Sequence, residues 1–170
     1  EQLVSKAMPL LYFGAMAGML GQPGEADIAD RIAAAIRGVL ANQTGTGSFG
    51  LWQPGGGDPW LDAYATDFLS RARALGHPVP DRAWEAALTN LSNLVNAYGD
   101  FETGGEDLAY ALMVLAREGR ASIGDLRYYA DTRAEAFATP FAQAQLGLAL
   151  SWYGDQPRAD AMFRLASAGA

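Results

Sequence analysis

Apolar residues recur three and four positions apart in segment after segment of this chain, and sustained period-two alternation is absent. Ala26 to Leu40 sets Ile28, Ile32, Ala35, Ile36 and Val39 on one helical face. Asp58 and Pro59 read as an N-cap and first-turn pair, followed by a stripe of Leu61, Tyr64, Ala65, Phe68, Ala72 and Leu75. Asp81 is expected to cap a third segment carrying Trp84, Leu88, Leu91 and Val95. Leu108, Ala111, Leu112 and Leu115 mark a fourth, ended by Gly119. Ile123 to Phe137 reads as a weaker helix, Phe141 to Tyr153 as a strong one, and a short last helix starts at Asp155 and runs through Leu165. Ser5 to Leu20 adds one at the front, for about eight in all. Alanine fills about one position in five and β-branched residues are scarce, which raises helix propensity throughout. The expected fold class is all-α.

The order of these segments carries further information. Glycine-rich loops (Asn42 to Pro59, Gly99 to Gly105) precede helices rich in small and aromatic residues, Trp60–Leu75 and Leu108–Glu118. The helix after each, Ala83–Tyr98 and Ile123–Phe137, is more charged. Buried and half-exposed helices alternating in hairpins suggest an α/α toroid, with unequal spacing arguing against a regular solenoid. A generic helical bundle is the alternative. One loop favours the toroid: Gln43, Gly47 and Phe49, followed by Leu51 and Trp52, resemble the QW motif that staples hairpins in terpenoid-cyclase and prenyltransferase toroids. The Gln43 amide is expected to satisfy carbonyls at the end of the preceding helix, and the aromatic to close the loop on the next hairpin. An ordinary glycine-rich loop with a buried aromatic is the plainer reading.

Composition excludes several functions. At 170 residues the chain is one domain or a large piece of one. With 12 basic and 19 acidic residues it lacks the footprint for a phosphate backbone, so nucleic acid is no partner, and an anionic membrane surface is disfavoured. The absence of cysteine removes disulfides, thiolate metal sites and a cysteine nucleophile from these residues. The most apolar run, Ala7 to Leu20, is broken by Pro9, Gly14 and Gly18 and is too short to span a bilayer. It has no basic leader, so it is a poor signal peptide. The chain opens on Glu1 without a methionine and reads as a piece of a longer polypeptide.

Few residues suggest chemistry by themselves. His77 stands alone in a Gly-His-Pro turn and offers neither a metal cluster nor a triad. Asp100, Glu102, Glu106 and Asp107 crowd one loop and helix start, and Asp58, Asp62 and Asp67 follow the other glycine-rich loop. Paired carboxylates in a toroid mouth would suit an inverting glycosidase, whose acid and base stand about 6.5–9.5 Å apart, or would hold a calcium ion. Capping and solvation of helix N-termini account for the same residues. Trp52, Trp60, Tyr64, Phe68, Trp84, Tyr128, Tyr129, Trp152 and Tyr153 would line a sugar groove or, at helical spacing, fill a core. No phosphate-loop, nucleophile-elbow, zinc-helix or dinucleotide fingerprint occurs, so no cofactor or metal is expected.

The opening block, Glu1-Gln2-Leu3-Val4-Ser5-Lys6-Ala7-Met8-Pro9-Leu10-Leu11-Tyr12, resembles the stretch that follows the thioester cysteine in bacterial alpha-2-macroglobulins, whose motif is C-x-E-Q. Gly47-Ser48-Phe49 resembles a G-S-[FY] loop of that family, and Asp58 to Tyr64 its S-T-W-L-T-A-[YF]-like inner helix. Ala109 to Gly119 is similar to a further helix of the bacterial branch.

The resemblance implies that residues 1–170 form part of the thioester domain of a larger multidomain protease-trapping protein. The resemblance further implies a defence protein and not an enzyme. Gln2 would map onto the acyl residue of the Cys-Gln thioester and Glu1 onto its neighbour. The cysteine would lie two residues before Glu1, outside the chain, and without it these residues form no thioester. The implied partners are proteases captured covalently by the parent and the other domains of that parent. The implied location is the periplasm, with the parent lipid-anchored to the inner membrane. His77 does not match the histidine context of complement-type relatives. About eight helices make fewer hairpins than a complete ring of this type, so the toroid is expected to be partial. Two other readings stay open: an α/α-toroid carbohydrate-active enzyme using Asp100, Glu102, Glu106 or Asp107, and a purely structural interaction module.

Overall fold

In the computed structural model, residues 1–20 and 25–169 are described, and among them eight α-helices and a short 3-10 turn account for all regular structure. They are α1 (Gln2–Leu20), α2 (Glu25–Ala41), α3 (Pro59–Ala74), α4 (Asp81–Ala97), α5 (Glu106–Arg117), α6 (Ile123–Thr132), α7 (Pro140–Trp152) and α8 (Gln156–Ala168). The all-α expectation holds, and each of the expected helices is found. The part of the Ser5–Leu20 to Ala26 connection at 21–24 lies outside the described residues.

The chain divides into two compact units, Glu1–Asn90 and Leu91–Ala170, with α4 running through the boundary. In the first unit α1 packs on α2 and on α3. Val4, Ala7 and Leu11 of α1 are buried, as are Ile28, Ile32, Ile36 and Val39 of α2. The helix α1 continues through Pro9, although proline has no N–H to give the carbonyl one turn back. Helix α3 is buried on almost every side, Phe68 and Leu69 completely. It starts as the Asp58-Pro59 pair predicts: the Asp58 carboxylate accepts the Leu61 N–H at 3.0 Å.

In the second unit α5 packs on α7, and α7 on α8. All nine residues from Leu108 to Ala116 are buried, whereas α6 buries only Leu126. The alternation of a buried helix with a more exposed one, read from composition, is therefore present in this unit.

Three expectations need correction. Asp81 is the first residue of α4 and not its cap: the Trp84 N–H turns back to the Pro80 carbonyl, and the Asp81 carboxylate pairs with Arg73 at 2.7 Å. The helix Ile123–Phe137 ends at Thr132, where the chain tightens into a 3-10 turn, Ala134–Ala136. Phe137 then leaves the turn extended and is buried, its backbone neighbours exchanging hydrogen bonds with Gly104. The last helix does start from Asp155 as its N-cap residue, with the carboxylate binding Arg127 and Arg158 and not the helix N–H groups, but it runs past Leu165 to Ala168.

Candidate functional site

A cavity of about 430 Å³ lies within the first unit, at the start of α1. Glu1 and Gln2 form one side of it, Phe49, Leu51 and Trp52 another, with Leu61 and Ala65 of α3 beneath. Gln2 is the first residue of α1 and its side chain is exposed, while Val4, two residues further into the helix, is buried. Helix geometry explains the split, because successive residues rotate by roughly 100° and only one stripe can face α2 and α3. Glu1 precedes the helix, exposed, and its carbonyl accepts the Ser5 N–H at 2.9 Å. The two residues singled out by the opening block thus stand together on one cavity.

The opposite wall belongs to the 42–58 loop, which is held from several directions. Thr44 and Ser48 exchange main-chain and side-chain bonds across the turn, and the Gly50 N–H returns to the Asn42 carbonyl at 2.9 Å. Gly47 sits at φ +96°, where its missing Cβ would stand 2.0 Å from the Ala86 carbonyl oxygen of α4. Only glycine meets both conditions. Phe49 turns inward and is 3% exposed, as the loop reading expected of its aromatic. The Gln43 amide, however, does not satisfy the preceding helix. Its Nε2 donates to the Ala83 carbonyl of α4 at 2.9 Å, and it is Asn42 that turns back to α2, donating to Gly38 O at 3.2 Å. Leu51 and Trp52 follow on the surface, Trp52 88% exposed.

Beneath the loop lies Asp62, on the first turn of α3 and 5% exposed. Its carboxylate accepts the Phe49 N–H at 2.7 Å, the Asn90 amide at 2.7 Å and the Ser48 hydroxyl at 2.9 Å. Burial pushes this carboxyl above its usual value. The three donors oppose the rise, and the nearby Asp58 charge adds to it. Sequence reasoning placed Asp62 among acidic candidates and missed its partners; the signal available was Ser48 in the G-S-F loop.

The other acidic candidates are engaged elsewhere. Asp67 pairs with Arg71 at 2.8 Å, and Arg71 also donates to the Tyr12 hydroxyl. Asp100, Glu102, Glu106 and Asp107 lie in the second unit. Asp100 faces water and pairs with Arg133 at 3.0 Å, Glu102 is exposed, and Glu106 and Asp107 open α5. Asp107 accepts the Tyr98 hydroxyl at 2.6 Å and the Leu108 N–H at 2.9 Å. Glu106 and Asp107 stand half-buried in the first turn of α5, where the helix N-terminus favours negative charge, and Asp100 and Glu102 are exposed; the structure gives the paired-carboxylate reading no support from these contacts. Among the described residues no group of three or more His, Cys, Asp or Glu side chains is placed to hold a metal ion. His77 sits half-buried in the turn between α3 and α4.

Of the aromatic candidates, Phe68 and Trp84 are core residues, whereas Trp52, Trp60, Tyr128 and Trp152 are exposed. Among these only Trp52 borders the cavity at Gln2. No helix among the described residues is long and apolar enough to cross a membrane.

No family model matches the chain. Individual relatives do. An alpha-2-macroglobulin of Escherichia coli (strain K12) is 34% identical over 179 residues, covering 98% of this chain and 11% of the relative. One from Xylella fastidiosa (strain Temecula1) is 33% identical, covering 95% and 10%. The chain thus spans about a tenth of the length of these curated relatives. Among solved structures, the native conformation of E. coli alpha-2-macroglobulin matches with a TM-score of 0.85 at 30% identity, over 99% of this chain and 11% of that one. A Salmonella alpha-2-macroglobulin reacted with methylamine matches with a TM-score of 0.85 at 32% identity, over 99% of this chain and 12% of that one. An E. coli structure running from domain MG7 to the C-terminus is covered to 28%, over 98% of this chain, at 30% identity with a TM-score of 0.82, which locates the likeness in the C-terminal region of the relative. The likeness agrees with an α/α toroid-like helical fold.

Proposed function

We propose that this chain, a homologue of one segment of the bacterial alpha-2-macroglobulins, is the part of a protease-inhibiting parent that presents the acyl half of a covalent protease trap. The observation that carries the proposal is the position of Gln2: it starts α1 and borders a cavity walled by Phe49, Leu51 and Trp52.

The chemistry asks for such a place. A cysteine two residues before Glu1 attacks the Gln2 carboxamide carbon; the C–S bond forms, the C–N bond breaks, and ammonia leaves with the thiol proton. The resulting thioester is an acyl donor that water would consume. A largely apolar cavity lowers the local water concentration and so lengthens the lifetime of the thioester. When the parent rearranges after cleavage, a lysine amine of the attacking protease adds to the same carbonyl carbon. The C–N bond forms, the C–S bond breaks, and the thiol departs with the proton. Glu1 is carried as the neighbour of the acyl residue, exposed at the mouth. The event is a single stoichiometric capture, so the reading assigns no enzymatic turnover. A Salmonella relative that reacts with methylamine lends support, since methylamine is a small amine of the class the mechanism requires.

The same reading makes residues 1–170 a portion of a thioester domain, with proteases and the other domains of the parent as partners and the periplasm as location. The test is mass spectrometry of the parent after methylamine treatment. Replacement of the Gln2 carboxamide nitrogen by methylamine, abolished by Gln2→Ala, is the expected result. A residue other than cysteine two positions before Glu1, or an unmodified Gln2, overturns the covalent mechanism.

A further inference from the structure

We propose that Asp62 is a positioning residue for the cavity at Gln2: its carboxylate fixes the loop from which Leu51 and Trp52 project. Three observations carry this. The carboxylate is almost wholly buried and binds the loop at two consecutive residues, the Ser48 hydroxyl and the Phe49 N–H. The Asn90 amide of α4 holds it from the other side, at 2.7 Å. An anion in that setting is kept by its donors, and a donor left without it would be buried and unpaired.

What Asp62 holds is the root of the cavity wall. Phe49 is followed at once by Gly50, Leu51 and Trp52, and all four line the cavity. Gly50 cannot take a side chain, because a Cβ there would stand 1.8 Å from the Gln53 carbonyl oxygen, so the chain folds back tightly at that point. Gly56 closes on the same post from the returning arm, its missing Cβ lying 2.8 Å from Ser48 Oγ. Trp52, at 88% exposure, has little packing of its own to hold it. Its place relative to Gln2 is therefore inherited from Phe49, and the place of Phe49 from Asp62. The functional meaning of this wall rests on Gln2 being the acyl residue; the mechanical relation between Asp62 and Trp52 does not.

The chain contains no cysteine, so Gln2→Cys introduces a single thiol. A bimane label on it is quenched by contact with a tryptophan and reports how close Trp52 stands to position 2. Trp52→Phe in this background sets the unquenched reference, expected to be severalfold brighter. Asp62→Ala is expected to approach that reference while circular dichroism and a cooperative melt show the helices retained. Asp62→Asn, which keeps one oxygen acceptor for the Phe49 N–H and the shape of the side chain, is expected to fall between, and it carries the test should the alanine variant fail to fold. An Asp62 variant that folds and quenches as fully as the parent background overturns the proposal. So does a Trp52→Phe variant with no gain in brightness. Because the label reads distance and not acyl transfer, failure of methylamine incorporation leaves this result standing, and the reverse also holds.

Discussion

Gln43 reaches 40 positions along the sequence to donate its side-chain amide to the Ala83 carbonyl, 2.9 Å away, at the first turn of α4. The bond ties the start of the glycine-rich loop to a helix it does not precede. The neighbouring Asn42 spends its amide on Gly38, one turn back in its own helix. Gln43→Ala should therefore loosen the loop from α4 at a cost of about 1 kcal/mol, the usual net worth of a part-buried hydrogen bond. Asn42→Ala should loosen only the end of α2. Chemical denaturation reads both stabilities, and proteolysis within the 42–58 loop should accelerate for Gln43→Ala alone.

Gly47 and Gly45 occupy the same turn and should respond very differently to alanine. Gly47→Ala meets a positive φ and the Ala86 carbonyl at 2.0 Å, so strain and overlap add, for roughly 2–4 kcal/mol of destabilisation. Gly45 has nothing within 4 Å of the added carbon, and Gly45→Ala should stay within about 0.5 kcal/mol of the parent. Equal stabilities for the two variants would mean that the loop does not rest on α4.

These contrasts also mark what the sequence makes legible. Helix identity is a local property, so the stripes and the Asp58-Pro59 start could be read directly, and the structure keeps them. Non-local pairings carry no periodic signal. Nothing in the order of residues announces that Phe137 leaves its helix to lie beside Gly104, or that the Gln43 amide chooses Ala83 over its own helix end. Asp62 was visible as an acid, yet its burial depends on donors from the 42–58 loop and from α4. At the candidate site, Gln2 came from the opening block and its family resemblance. The cavity beside it emerges only when the loop folds back against α1 and α3.

Two groups of carboxylates should bend the pH dependence of stability in opposite directions. Burial raises the Asp62 carboxyl above 3.8, its ordinary value, so the native state takes up a proton before the unfolded chain does. As pH falls from neutral through that raised value, stability should rise on its account. Asp155, hydrogen-bonded to Arg127 and flanked by Arg158, and Asp131, bonded to Arg158, are both held below 3.8. Their contribution is fully present above 3.8 and is lost as pH falls through the lowered native values. Unfolding free energies measured from pH 7 downward should show both limbs. Asp62→Asn should remove the first and Asp155→Asn should shrink the second; a profile unchanged in either variant refutes that assignment.

Tyr98 and Asp107 offer a spectroscopic check in the second unit. The phenol donates to the Asp107 carboxylate at 2.6 Å, beside Phe101, whose ring meets that of Tyr98 edge-on at 5.8 Å. Desolvation comes first and the neighbouring carboxylate second in pushing the Tyr98 hydroxyl well above the usual phenol range, because both disfavour a phenolate at that spot. Burial raises the Tyr129 hydroxyl as well, so ultraviolet titration should leave two tyrosines un-ionised after the exposed ones have titrated, and Tyr98→Phe should remove one of them. The same variant strips Asp107 of one donor while leaving the Leu108 N–H, 2.9 Å away, in place. Its stability cost should be about 1–2 kcal/mol, as for a hydrogen bond to a charged group with one partner remaining. If the number of late-titrating tyrosines is unchanged in Tyr98→Phe, the raised hydroxyl does not belong to Tyr98 and the assignment fails.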